Sequence, residues 1–322
     1  MEKLKNNKIQ ILRAIAIISV ILIHLCPNMK YEIYFRPFIN FGVAIFIFLS
    51  GFLTKIENDN WISFYKKRIT RVIIPYVIWT LIYSLINNAF SVRNILKNLI
   101  TTKSASILYY IFVYIQFTLL TPLIGKLAKS KFNWIGWLIT PFSLIIFVYF
   151  PLIKNIQLNY KISLLWSVCC LGWFTFYYLG LLLGNNIIDK KFNVIFLSII
   201  LILSIFLQIF EARIWFRNGN YSCGSQLKIT TIITNTIITL LSYLFITMKK
   251  DFNNKFLTLI GDLSFGIFFF HILPLKFLET NNYLFTLPYI INFIIIFTIT
   301  FLFVLITQKI CGKKISKYLG LI

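Results

Sequence analysis

Apolar residues run along this chain in blocks of about 18–22, separated by short polar stretches that collect nearly all the charge. Ten such blocks fall over 9–26, 36–54, 69–87, 106–124, 134–153, 163–184, 192–210, 227–248, 256–278 and 285–308. Each is long enough, as a helix, to cross ~30 Å of hydrocarbon, where an unpaired backbone amide is too costly for any open structure. The pattern predicts an all-α polytopic transmembrane helical bundle of about ten spans. The first block does not read as a cleavable signal peptide, because no small-residue cleavage site follows and a second block begins almost at once.

The connections carry Lys and Arg unequally. With the N-terminus inside, the inner segments and span ends hold 21 basic residues and the outer ones 11. Because basic loops stay on the cytoplasmic side, both termini are expected in the cytoplasm. No connection is long enough for a folded soluble domain, so the expectation is one membrane-embedded domain over 1–322 with nothing appended. Any chemistry then belongs inside the bundle or at its mouths.

Composition narrows the class. The chain of 322 residues is 59% hydrophobic, 18% aromatic and only 13% charged, against ~25% charged in an ordinary soluble domain. That excludes a soluble globular enzyme, a disordered protein and a disulfide scaffold. The formal net charge of +23 would point to nucleic acid in a soluble protein, but here it has no soluble face to cluster on. The expected partner is the lipid bilayer of the cytoplasmic membrane, with no nucleic acid. The five cysteines show no metal-ligand spacing, so no metal site is expected.

Two histidines occur, His24 and His271, and both fall inside spans. Ionisable groups at membrane depth are costly and usually face a cavity or the bundle interior. Arg13 and His24 stand eleven residues apart, three helical turns plus ~20°, so they share one helix face ~16 Å apart along the axis. A ligand with an anionic head and a long arm ending in a reactive group suits such a stripe. A snorkelling arginine above a packing histidine would use the same residues. Lys66, Lys67, Arg68 and Arg71 crowd the inner end of the third span. Arg68 and Arg71, three apart, share a face suited to gripping phosphate oxygens, though a positive-inside anchor has the same composition. On the outer side, 211–226 gathers Glu211, Arg213, Trp215, Arg217 and Tyr221, a set suited to a sugar ring or to an interfacial aromatic belt. Ser264 lies seven residues before His271, hence on the same face, and both are candidates to line a cavity or meet the acceptor.

These blocks, in order, resemble the acyltransferase 3 family of integral membrane acyltransferases, many of which O-acetylate surface glycans. The run from Arg13 to His24 is similar to the family's Arg-x10-His motif. FGVAIFIFLSGFL (41–53), FYKKRITRVIIPYVIW (64–79), ILYYIFVYIQFTLLTPLI (107–124), FYYLGLLLG (176–184) and SFGIFFFHI (264–272) resemble its later segments. One departure is Gln10, where members often carry an acidic residue before the arginine, so what orients Arg13 is open. The resemblance implies ten spans, cytoplasmic acyl-CoA, with acetyl-CoA first, as co-substrate without a bound cofactor, and a glycan or lipid-linked sugar as acceptor. By position it makes His24 the catalytic base and gives Arg13, Arg68 and Arg71 to the donor. Whether His24 takes up the acyl group or only a proton stays open, and either role needs neutral imidazole. The rival is a transporter or flippase for a glycan or small solute. It is disfavoured because all nine acidic residues sit in loops or near span ends and no inverted repeat is seen.

Overall fold

The computed structural model describes residues 6–26, 28–58, 60–154, 156, 160–188, 191–220, 222–280 and 287–321. Tyr221 lies outside them, as do the charged residues Glu2, Lys3, Lys5, Asp59 and Asp189. The described residues form helices and no strand. In chain order these are α1 (Asn7–His24), α2 (Met29–Tyr34), α3 (Gly42–Phe52), α4 (Trp61–Ile86), α5 (Val92–Thr101), α6 (Tyr109–Lys129), α7 (Ile135–Leu144) and α8 (Phe150–Ile153). They continue with α9 (Tyr160–Ser167), α10 (Phe174–Gly184), α11 (Val194–Arg217), α12 (Ile229–Thr247), α13 (Lys255–Phe270), α14 (Ile272–Thr280) and α15 (Tyr289–Tyr318).

Eight helical segments among the described residues are long and apolar enough to cross a membrane, and the bent pair α13–α14 makes a ninth. The helical segments therefore follow the expected blocks, with three informative departures. Block 36–54 holds only the eleven-residue α3 after a 3-10 turn at Arg36–Phe38; eleven residues rise ~16 Å, about half the hydrocarbon. Block 163–184 is broken between α9 and α10 by another 3-10 turn, Cys170–Trp173. Block 256–278 bends by 46° at His271. Pro274 explains the bend: it has no N–H for the carbonyl of Phe270 four residues back.

Other boundaries move outward. Helix α4 begins at Trp61, so the basic cluster 66–71 occupies its first turns rather than a loop. Asn60 starts it by accepting the N–H of Ser63 at 2.9 Å. Helix α11 runs on to Arg217, which puts Glu211 inside a helix instead of a loop. A carboxylate is tolerated there because Tyr149 and Thr230 donate their hydroxyls to its two oxygens.

The core is organised around α1, which packs on α13 and α3, while α3 packs on α10. These contacts are made at backbone distance. A Cβ at Gly261 would strike the carbonyl of Gln10, one at Gly42 the carbonyl of Ala16, and ones at Gly180 and Gly184 the carbonyls of Phe48 and Phe52. Between membrane helices hydrophobicity gives no net drive, so close approach of small residues and buried polar bonds hold the bundle. Gln208 of α11 supplies such bonds, accepting from Asn40 at 3.3 Å and donating to Thr234 of α12 at 3.2 Å. The flanks of α11 and α15 carry the exposed apolar side chains, among them Phe206, Phe210, Ile294 and Ile306, as lipid-facing surfaces should.

Gly180→Leu is expected to separate α3 from α10 at a cost of about 1–3 kcal/mol or more. It should lower the melting temperature of the detergent-solubilised protein, whereas Leu203→Ala, on an exposed flank, should leave it nearly unchanged.

Candidate active site

Helix α1 carries the axis of the site. Arg13, Val20 and His24 project from one face of it into a cavity of about 520 Å³. Further walls come from α4, whose early turns contribute Lys67, Arg68 and Arg71, and from α13 alongside α1, which contributes Asp262, Ser264, Phe265 and Phe268. Lys55 joins them from the segment after α3. Five basic side chains thus line the cavity with a single acidic one among the described residues, and the basic set gathers at the Arg13 end. Every one of the five belongs to the segments that the charge count assigns to the cytoplasm.

Local contacts fix the cations. Arg13 Nη1 donates to Gln10 Oε1 at 3.4 Å, so the amide stands where an acidic partner was missing. The guanidinium of Arg68 lies 4.7 Å from the centre of the Phe64 ring, a cation–π contact. Arg68 Nη2 also reaches the carbonyl of Leu53 at 3.5 Å. The middle of the cavity is aromatic and apolar. Tyr109, Tyr110 and Tyr114 face it from α6, with Phe46 of α3 beside Tyr110. The cavity therefore changes along its length from cationic to apolar, and ends at an imidazole.

A second, smaller cavity of about 300 Å³ opens at the other end of His24. Its walls come from the end of α4 (Asn87), the segment before α6 (Lys103, Ser104, Ser106) and α14 (Ile272, Leu275, Lys276, Glu279). It is polar and mixed in charge. Lys276 donates to Asn87 Oδ1 and lies 5.9 Å from the centre of the Tyr83 ring. Among the described residues, His24 is the one that lines both cavities.

His271 lies directly behind it. The two imidazole centroids are 5.4 Å apart, a proximity that two separate spans give no means of predicting. Its Nδ1 lies 3.0 Å from the carbonyl oxygen of Ile267 and 2.9 Å from that of Phe268. His271 lines neither cavity. Ser264 of the same helix faces the larger one.

Glu211 and Trp215 belong elsewhere. Trp215 is buried in a small satellite core with Ile33, Ala212 and Cys223, and Tyr149 packs on its ring at 5.6 Å. Glu211 ties α11 to α12 through Tyr149 and Thr230. Neither lines either of the two cavities, and the surroundings of both are those of a helix–helix joint. Conversely, Lys55, Asp262 and the three tyrosines line the cavity without having been singled out. The Tyr-rich start of α6 was visible, but only its packing across from α1 gives it a role in lining. Asp262, expected near a span end, lies in the middle of α13 and faces the cavity. Among the described residues no group of His, Cys, Asp and Glu is placed to hold a metal ion.

No curated protein and no solved structure matches the chain. A family model described as an acyltransferase domain does, over residues 6–309. That match covers nearly the whole sequence, including the cavity walls from Arg13 to Glu279, and ends within α15. The chain thus belongs to the acyltransferase 3 family and is a multi-pass membrane acyltransferase.

Proposed function

We propose that this protein moves an acyl group, acetyl in the first instance, from cytoplasmic acyl-CoA to a hydroxyl of a surface glycan or lipid-linked sugar, with His24 as the base. The observation that carries the reading is the position of His24 as the wall common to two cavities of opposite character. Coenzyme A is a polyanionic head on a long, weakly polar arm. The larger cavity offers cations at one end, Arg13, Arg68 and Arg71 with Lys55 and Lys67, and an aromatic middle. Phosphates held at that end let the arm run along α1 and bring the thioester to His24. The smaller cavity, with hydroxyl, amide and charged groups in its wall, suits a sugar approaching from the opposite side.

The transfer then closes as follows. The acceptor O–H gives its proton to a neutral His24 nitrogen while its oxygen attacks the thioester carbonyl. The C–S bond breaks, an ester forms, and the departing thiolate takes the proton from His24 to leave CoA–SH and neutral imidazole. General-base assistance of this kind is worth about 10²–10⁴-fold. Holding two reactants on either side of one side chain adds the advantage of orientation. The basic end of the larger cavity coincides with the side the positive-inside count assigns to the cytoplasm, so both termini lie on the donor side.

His24→Ala should lower transfer at least about 10²-fold while leaving acyl-CoA binding and expression near wild type. Mass spectrometry of surface glycan from wild-type and mutant cells should show the acyl mass increment only in the former; a mutant that acylates at wild-type rate refutes the assignment. Arg68→Ala and Arg71→Ala remove charge-assisted bonds worth about 1.5–3 kcal/mol each. Each should therefore raise the KM for acyl-CoA tenfold or more, on the order of that energy, with a smaller change in kcat. Steady-state kinetics in detergent or nanodiscs separates the two constants.

A further inference from the structure

The environment of His271 fixes its proton. Nδ1 faces the carbonyl oxygens of Ile267 and Phe268, at 3.0 and 2.9 Å. Carbonyls only accept, so Nδ1 carries the hydrogen and shares it between them. In the neutral ring the other nitrogen, Nε2, is then a bare acceptor. It is buried and has no hydrogen-bond partner among the described residues, in a side chain only 1% exposed. A buried acceptor left unmatched is an unusual feature that calls for a partner.

The group beside it is His24, with ring centroids 5.4 Å apart and planes tilted by 48°. Imidazole nitrogens lie ~1.1 Å from the ring centre, so two aimed along the line of centres would stand ~3.2 Å apart, at the edge of hydrogen-bonding range. Beside His271, Pro274 bends the helix by 46°, and Tyr83 donates its hydroxyl to the carbonyl of Phe269 at 2.6 Å. His271 lines neither cavity and so meets no substrate directly.

We propose that His271 is a positioning residue whose Nε2 accepts the ring N–H of His24, fixing which His24 nitrogen keeps its lone pair for the acceptor hydroxyl. The consequence for turnover rests on the acyl-transfer reading above; the pairing itself does not. When His24 takes up the hydroxyl proton, its N–H to His271 becomes charge-assisted and stronger, so the pair favours the state that the transfer passes through. The arrangement has the logic of a base oriented by a third group, with a second imidazole in the orienting place.

Because the chain has two histidines, [15N]histidine labelling of the full protein, purified through a tag without histidine, reports four ring nitrogens. In the wild type we expect Nδ1 protonated on His271, a hydrogen-bonded acceptor at its Nε2, and one tautomer on His24. His271→Asn keeps a donor for the two carbonyls and removes the acceptor. There His24 should populate both tautomers, and kcat should fall by up to about 10²-fold with KM for acyl-CoA within about twofold. His271→Gln, whose amide reaches the Nε2 place, should recover part of the loss. Wild-type kcat in His271→Asn, or an unchanged single His24 tautomer there, overturns the proposal; a loss that follows only the melting temperature, with His24 still in one tautomer, makes His271 structural. If the wild type transfers no acyl group from any acyl-CoA, the functional reading fails, and the tautomer spectra still decide the pair.

Discussion

Helix α1 lies in backbone contact with both of its main neighbours, and the site is a consequence of that contact. Gly261 lets α13 reach the carbonyl of Gln10, and Gly42 lets α3 reach that of Ala16. With no Cβ at either place, α1 is closed by packing on the flanks of its polar stripe, with Ala14 and Ala16 fully buried. The remaining stripe, Arg13 to His24, is left for a cavity. In hydrocarbon a guanidinium and an imidazole are tolerated only where protein or water surrounds them. The same close packing that binds the helices therefore leaves the polar stripe facing a space enclosed by protein.

The departures from regular spans fall around this stripe. Helix α3 is half the length of a span, α9 and α10 are parted by a 3-10 turn, and α13 bends into α14 at His271. Irregular backbone at membrane depth survives only when buried in protein or lining a cavity. Each break meets that condition. The segments at 36–41 and 168–173 are bonded to neighbours through Asn40, Asn235 and Gln116. At the bend, Tyr83 bonds the carbonyl of Phe269, and the His271 ring bonds those of Ile267 and Phe268. Regular helix stands at the periphery, as in α11 and in α15 up to its break at Gly312, where lipid offers the backbone no partner.

Charge is distributed to match. The cations of the larger cavity come from three separate parts of the chain, α1, the segment after α3, and α4. The smaller cavity pairs Lys276 with Asn87 and keeps Glu279 in its wall. Glu211, the acidic group that most resembled a substrate contact, is instead consumed by two hydroxyl donors between α11 and α12. A carboxylate satisfied in this way has little capacity left for a ligand.

The sequence by itself determined the class, the helices and one line of the site. Block length and charge placement dictate membrane helices because hydrocarbon thickness and backbone hydrogen bonding allow little else. The helical period alone puts Arg13 and His24 on one face, and Arg68 beside Arg71, because residues within a helix have a fixed rotation. Only the tertiary structure decided the rest: that α4, α6 and α13 wall the cavity, that His271 stands behind His24, that His24 separates two spaces, and that Trp215 is packing. Those facts depend on which helix faces meet across hundreds of residues. Apolar helix surfaces are nearly alike in composition, so the choice falls to glycine contacts, bends and buried polar bonds whose partners are far apart in the chain.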